Sequence, residues 1–303
     1  MDNQKIAPGH FILKLQSPLI SRKARPGQFV QILCADTADP LLPRPFSFLT
    51  ANLKEFSVLY QVAGRGTDLL SHKEKGDRLW VVGPLGNGFG LVGSSGFGVR
   101  SKKNFLVGGG VGIPPLYHLA QELLKNKAKK ENIHIFLGAR NKTLLLCEKE
   151  FKKLGVTLHL ATDDGSKGKK SYITELLDNF LNTSRPAPAR QRSSGGTRDL
   201  LQKSGGSVLR RTRLIYACGP TSTLKAVSKV AHEHGVPCEV SVEVPMACGF
   251  GACLGCAVRV RSKIVLSPNP EHPTCLPDRQ APNCRFAIAC TEGPVFNSED
   301  VVW

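Results

Sequence analysis

The chain has 303 residues, 41% of them hydrophobic and 21% charged, which is enough for two or three cores and unlike a disordered protein. No apolar run approaches the roughly 18 residues of a membrane-spanning helix, and Met1-Asp2-Asn3-Gln4-Lys5 shows no basic segment followed by an apolar one; a cytoplasmic protein is expected. The formal charge of +17 would suit a nucleic-acid binder, but its distribution does not: eight Lys or Arg against one acid fall between Arg185 and Arg213. That stretch, rich in Pro, Ser, Gly and Arg and without apolar periodicity, reads as a solvated insertion, with contact to an anionic partner as the alternative. Elsewhere lysines scatter with few aromatics near them, so no stacking platform for bases is expected.

In chain order, residues 1 to 101 carry short β-type runs (HFILKL, QFVQILC, EFSVLYQV, DRLWVVG) separated by Pro and Gly, the texture of a small antiparallel barrel with almost no helix. From 102 to 240 strand and helix patterns alternate: NFLVGGG then IPPLYHLAQELLKN, IHIFLGAR then TLLLCEKEFKKL, VTLHLATD then YITELLDNF, RLIYACG then PTSTLKAVSKVAHEHG. Such alternation predicts a parallel sheet with helices on both faces, an α/β nucleotide-binding type. From 241 to 303 the chain is rich in Gly, Cys and Pro and too short to bury much core, so a metal or a partner is expected to hold it.

Seven of the ten cysteines follow residue 237, and without an export signal they read as thiols, metal ligands or redox groups. Cys248, Cys253 and Cys256 have the C-x4-C-x2-C spacing of plant-type [2Fe–2S] ligands. The glycines between them let a tight loop turn its amides toward anionic sulfur. A structural zinc site is the plainer alternative, but zinc ligands more often come as separate C-x2-C or Cys/His pairs. The fourth ligand has three candidates, Cys275, Cys284 and Cys290. Cys290 is favoured because it closes the strand-like run Phe286–Cys290 before a Gly-Pro turn, whereas the other two lie in Pro-rich loop.

Two further turns invite a ligand. Gly108, Gly109, Gly110 and Gly112 lie between a strand and a helix, where backbone can approach a phosphate, although prolines at 114 and 115 replace the last glycine of the usual dinucleotide fingerprint. Cys218-Gly219-Pro220 lies at a second strand-to-helix turn, and two such turns at the carboxyl ends of parallel strands would face one crevice. Packing alone is the competing reading of the first turn, and Cys218 is read equally as a thiol near a bound ring or as a small buried residue. In the first segment, Arg44 could neutralise a pyrophosphate and Ser47 could reach a ring nitrogen. Gly66 and Thr67 could offer amides to a phosphate. Glu243 and His10 stand alone and read as structural.

Taken in order, RPFS, LYQVAGRGT, GPLGNGF, VGGGVGIPP, TDDGS, ACGP, MACGFGACLGC and CTEGPVF give nearly the whole chain a resemblance to the electron-transfer subunits of class 1B, NAD-dependent dihydroorotate dehydrogenases, members of the ferredoxin reductase superfamily. The resemblance implies FAD on Arg44, Pro45, Phe46, Ser47, Leu59, Tyr60, Gln61, Gly66 and Thr67, and a [2Fe–2S] cluster on Cys248, Cys253, Cys256 and Cys290. It implies NAD at the 108–112 turn and at Cys218-Gly219-Pro220. It also implies a separate catalytic subunit, two copies of each in a heterotetramer, and a place in pyrimidine biosynthesis. The chain departs from the family in two insertions, at 185–213 and between Cys256 and Cys290. Arg140 stands where an acid would grip a ribose hydroxyl, so NAD over NADP rests on the resemblance. Within the same superfamily, a ferredoxin–NAD(P) reductase or sulfide dehydrogenase subunit is the alternative.

Overall fold

The computed structural model describes residues 1–90, 103–183, 213–262 and 284–303. The basic stretch 185–212 and Cys275 lie outside the described residues.

The first 90 residues form β1 (Asp2–Ala7), β2 (His10–Gln16), helix α1 (Pro18–Ser21), β3 (Phe29–Ile32), β4 (Arg44–Ala51), β5 (Glu55–Gln61), helix α2 (Arg65–Ser71) and β6 (Val81–Leu85). The strands make one six-stranded sheet in the order β1-β2-β5-β4-β3-β6, every neighbouring pair antiparallel. Alternation explains the core: Leu13, Leu15, Val30, Ile32, Phe48, Phe56, Val58 and Tyr60 turn to one side and pack with Leu70 of α2. The expected barrel is only partly realised. Among the described residues the edge strands β1 and β6 share no hydrogen bonds, so the sheet is not closed. The two short helices were not expected either. The hydroxyl of Thr67 accepts from the amides of Ala63 and Gly64 (2.9 and 3.2 Å), which starts α2 without the apolar periodicity of a longer helix.

The alternating segment follows as β7 (Lys103–Gly109), α3 (Ile113–Lys125), β8 (Ile133–Ala139), α4 (Glu148–Leu154), β9 (Thr157–Thr162), β10 (Lys169–Lys170), α5 (Ile173–Thr183), β11 (Arg213–Cys218), α6 (Thr221–Glu233) and β12 (Cys238–Ser241). Its sheet runs β10-β9-β8-β7-β11-β12-β15 and is parallel as far as β12. Both faces are covered. Phe105, Val107, Ile215 and Ala217 meet α5 and α6 on one side, while Leu106, Leu214 and Tyr216 meet α3 and α4 on the other.

The last segment holds a hairpin of β13 (Ala257–Arg261) and β14 (Cys284–Ile288), then β15 (Val295–Asn297). Among the described residues it builds no core of its own. β15 pairs antiparallel with β12 as the sheet's last strand, and Cys256, Ala289, Cys290 and Val301 share one buried cluster with Ile215 and Val240. A short Gly- and Cys-rich chain thus gains its burial from the α/β sheet.

Candidate functional site

A cleft of about 340 Å³ opens where the three segments meet. Phe29, Pro45 and Ser47 line it from the first sheet, Val111, Cys218 and Ser241 from the carboxyl ends of the parallel strands, and Glu243 to Met246 with Pro294 from the chain that leads into and out of the cysteine loop. Register accounts for the first wall. Phe29 pairs with Ser47 and Gln31 with Pro45, so these four side chains share one face of the sheet. Phe46 turns to the other face, where its ring packs on Tyr60 at 5.7 Å.

The two turns predicted to face one crevice are in contact. Cys218 pairs with Gly108, and a β-carbon on Gly112 would lie 2.5 Å from the Cys218 carbonyl oxygen. Gly112 therefore serves close packing, as the competing reading of the motif held. Gly110 differs: its φ is +56° and a β-carbon there would meet nothing within 4 Å, so its backbone is open to a ligand. Pro114 and Pro115 lie in the first turn of α3 and carry no N–H, which leaves that helix fewer donors for an anion than a dinucleotide-binding helix usually has. Burial pushes the Cys218 thiol well above its usual range, with the carboxylate of Glu243 adding to the shift, and burial likewise raises Glu243. The cleft floor thus carries a buried thiol and an acid, both with raised pKa.

Arg44 and Gly66 come together as predicted: a β-carbon on Gly66 would lie 3.3 Å from Arg44 Nε, and Arg44 Nη1 donates to the Leu42 carbonyl (2.6 Å). Thr67 spends its hydroxyl on Ala63 and Gly64. Leu59 and Tyr60 are buried and Gln61 is exposed; the Tyr60 hydroxyl donates to Asn3 Oδ1 at 3.1 Å, so residues 59–60 have chiefly backbone left for a ligand.

The cysteine loop is built around sulfur. Gly249 and Gly251 have φ of +84° and +90°, turning successive amides inward. Cys253 N lies 3.5 Å from Cys248 Sγ, and the amides of Cys253, Phe250 and Ala252 pull the Cys248 thiol down to about 6. Cys290 N lies 3.4 Å from Cys256 Sγ. Burial, with the neighbouring Cys256 sulfur, holds the Cys290 thiol up at about 12. The four cysteines thus form two pairs, 248 with 253 and 256 with 290. Among the described residues no group of three or more His, Cys, Asp or Glu side chains is placed to hold a metal ion. Cys284 pairs with Arg261 whereas Ile288 pairs with Ala257, which puts Cys284 four residues along the hairpin, roughly 13 Å at strand spacing, from the Cys256 end.

Two residues of this region were not singled out from the sequence. Asn87, inside GPLGNGF, donates from Nδ2 to the carbonyls of Thr291 (3.1 Å) and Glu292 (3.0 Å), tying the end of the first sheet to the loop after Cys290. Gln31 is buried at 1% exposure beside Gly249, and among the described residues neither polar atom of its amide has a partner. A polar residue inside QFVQILC was its only signal.

An antiparallel flavin-type sheet followed by a parallel nucleotide sheet, with a shared cleft, defines the class of flavin- and nicotinamide-dependent reductases. The model of the oxidoreductase NAD-binding domain matches residues 106–229. The chain is 34% identical over 300 residues to the dihydroorotate dehydrogenase B (NAD(+)) electron transfer subunit of Desulforamulus reducens, covering 98% of this chain and 94% of that one. To the same subunit of Geobacillus thermodenitrificans it is 34% identical over 304 residues, covering 100% and 96%. Among solved structures, a chain of an NADH-dependent reduced ferredoxin-NADP oxidoreductase superposes with a TM-score of 0.72 at 30% identity, covering 100% of this chain and 88% of that one. The Amycolatopsis cytochrome P450 reductase GcoB, at 20% identity and a TM-score of 0.56 over 77% of this chain and 64% of its own, shares the fold. The chain belongs to the family of dihydroorotate dehydrogenase B electron transfer subunits.

Proposed function

We propose that this chain is the electron-transfer subunit of an NAD-dependent dihydroorotate dehydrogenase in pyrimidine biosynthesis, relaying electrons from a separate catalytic subunit to NAD. The observation that carries the reading is the shared cleft: the first sheet, the parallel-strand ends and the chain flanking the cysteine loop all line it. Three functional segments follow, 1–101 for FAD, 102–240 for NAD and 241–303 for the cluster, with β15 returning to the second sheet. A bound flavin exchanges either a hydride or single electrons, whereas a bound [2Fe–2S] cluster passes only single electrons, which is why one chain needs both to serve nicotinamide.

The residues divide that work. Arg44 and the Gly66 backbone hold the FAD pyrophosphate, Pro45 and Ser47 bound its ring, and Phe46 packs beneath them on Tyr60. Gly110 and Gly219 leave open backbone to NAD, and Cys218 with Glu243 closes the floor of the cleft against water. Cys248, Cys253, Cys256 and Cys290 would hold the [2Fe–2S] cluster, which would pass single electrons. Two thiolates per iron suits the two observed pairs, and the inward amides offset the negative charge of the sulfurs. The stoichiometry is two copies of each subunit.

The test is anaerobic purification of the chain alone and coexpressed with the catalytic subunit. Two irons and one FAD per chain, with dihydroorotate-dependent NAD reduction only in the complex, is the expected result. Absence of iron would overturn the cluster assignment. The likeness to the ferredoxin-NADP oxidoreductase chain favours a second reading, a ferredoxin-linked reductase subunit; cofactors in place with ferredoxin turnover but none with dihydroorotate would establish it.

A further inference from the structure

Gln31 has a side chain that the fold does not use. It stands at the third position of β3, 1% exposed, and among the described residues neither Nε2 nor Oε1 has a hydrogen-bond partner. Leaving a primary amide buried and unpaired costs on the order of 1–3 kcal/mol, so native proteins seldom keep one without a use for it. A leucine or valine would continue the apolar alternation of β3 at no such cost.

The amide points at the cysteine loop. A β-carbon on Gly249 would lie 2.6 Å from Gln31 Cγ and 3.0 Å from Nε2, so the glutamine packs against the backbone immediately after Cys248, where only glycine leaves it room. Gln31 also shares its sheet face with Phe29, Pro45 and Ser47, all of which line the cleft. One buried strand thus presents cleft-lining residues and, at Gln31, a free donor toward the loop that carries the sulfurs.

We propose that Gln31 tunes the iron–sulfur cluster: its side-chain N–H, which meets no sulfur of the described cysteines, would donate a hydrogen bond to a sulfide of the bound cluster. The inference rests on the cluster assignment made above. A donor aimed at sulfur interacts more strongly with the reduced cluster, which carries one more negative charge. Gln31 therefore raises the reduction potential of the cluster and eases its acceptance of an electron. Leu85 Cδ1 likewise lies 3.1 Å from the position a β-carbon on Gly249 would take.

The test uses the full chain in complex with its catalytic subunit, comparing wild type with Gln31→Leu and with Gln31→Met, which keeps the length of the side chain without a donor. Iron and sulfide content is measured first, then the midpoint potential of the cluster by redox titration followed by electron paramagnetic resonance. Both variants are expected to hold the cluster and to show about a tenfold lower ratio of reduced to oxidised cluster at a fixed potential, ~59 mV for a one-electron couple. Midpoints equal to wild type in variants with full iron content overturn the proposal, as does a changed flavin spectrum with an unchanged cluster midpoint. If Gln31→Leu loses iron, the Gln31→Met midpoint decides by the same criterion. A wild-type complex without iron would overturn the cluster assignment, and this inference with it.

Discussion

Two glycines in one turn are expected to fail in opposite ways when given a β-carbon. Gly112 has φ of −78° and ψ of −6°, a conformation any residue adopts, so Gly112→Ala has no backbone penalty; its cost is steric. The new carbon would lie 2.5 Å from the Cys218 carbonyl oxygen and 2.6 Å from Gly219 N, backbone atoms on a packed strand end that cannot rotate aside. Overpacking usually costs 1–3 kcal/mol, and rigid neighbours put this case at about 3 kcal/mol, or ~6–12 °C in Tm for a domain of this size. Gly110→Ala is the reverse: the carbon meets nothing within 4 Å, but φ of +56° disfavours an L residue by ~1 kcal/mol, or ~2–4 °C. On the proposed function NAD approaches through the open space at Gly110, so Gly110→Ala is expected to raise KM for NADH while Gly112→Ala chiefly lowers Tm. Thermal unfolding and NADH oxidation with an artificial acceptor separate the two. Equal Tm losses, or an unchanged KM in Gly110→Ala, would refute the assignment of packing to one glycine and ligand approach to the other.

Cys290→Ser should lose iron and Cys284→Ser should keep it, because register puts Cys284 at the far end of the hairpin from Cys256; iron and sulfide analysis of both variants checks this. Asn87→Ala removes two side-chain hydrogen bonds to the loop after Cys290 and should cost ~1–2 kcal/mol and speed iron release to a chelator, with an unchanged release rate counting against the tie. His118 and His134 are buried and held at about 4 by desolvation, His134 also by His159 and Lys103, against 6.5 when unfolded. Between those values the unfolded chain binds more protons, so stability present above pH 6.5 is lost as pH falls toward 4, at most ~1.4 kcal/mol per pH unit for each histidine. Urea midpoints at pH 7 and pH 5 measure the loss, and His118→Leu should flatten it.

Much of the organisation was legible in the residues because it is written in local periodicity. The strand–helix alternation from NFLVGGG to PTSTLKAVSKVAHEHG produced the parallel sheet with both faces covered, since burial on two sides demands continuous apolar strands and amphipathic helices. The C-x4-C-x2-C spacing likewise marked a loop whose amides do turn to sulfur. Polar β1 and the short helices α1 and α2 were not legible, for their stability comes from what they pack against.

Composition and spacing alone thus determined the alternating strands and helices of the second sheet and where the chemistry-bearing cysteines and glycines fall, because those depend on neighbours within a few residues. Only the tertiary structure decided that β1 and β6 do not pair among the described residues, that β15 crosses back to complete the second sheet, and that Gly112 packs while Gly110 lies free. It alone brought Gln31 to within reach of Gly249, more than two hundred positions away in the chain. Such pairings depend on which surfaces bury each other once the sheets exist, and no local pattern of residues encodes them.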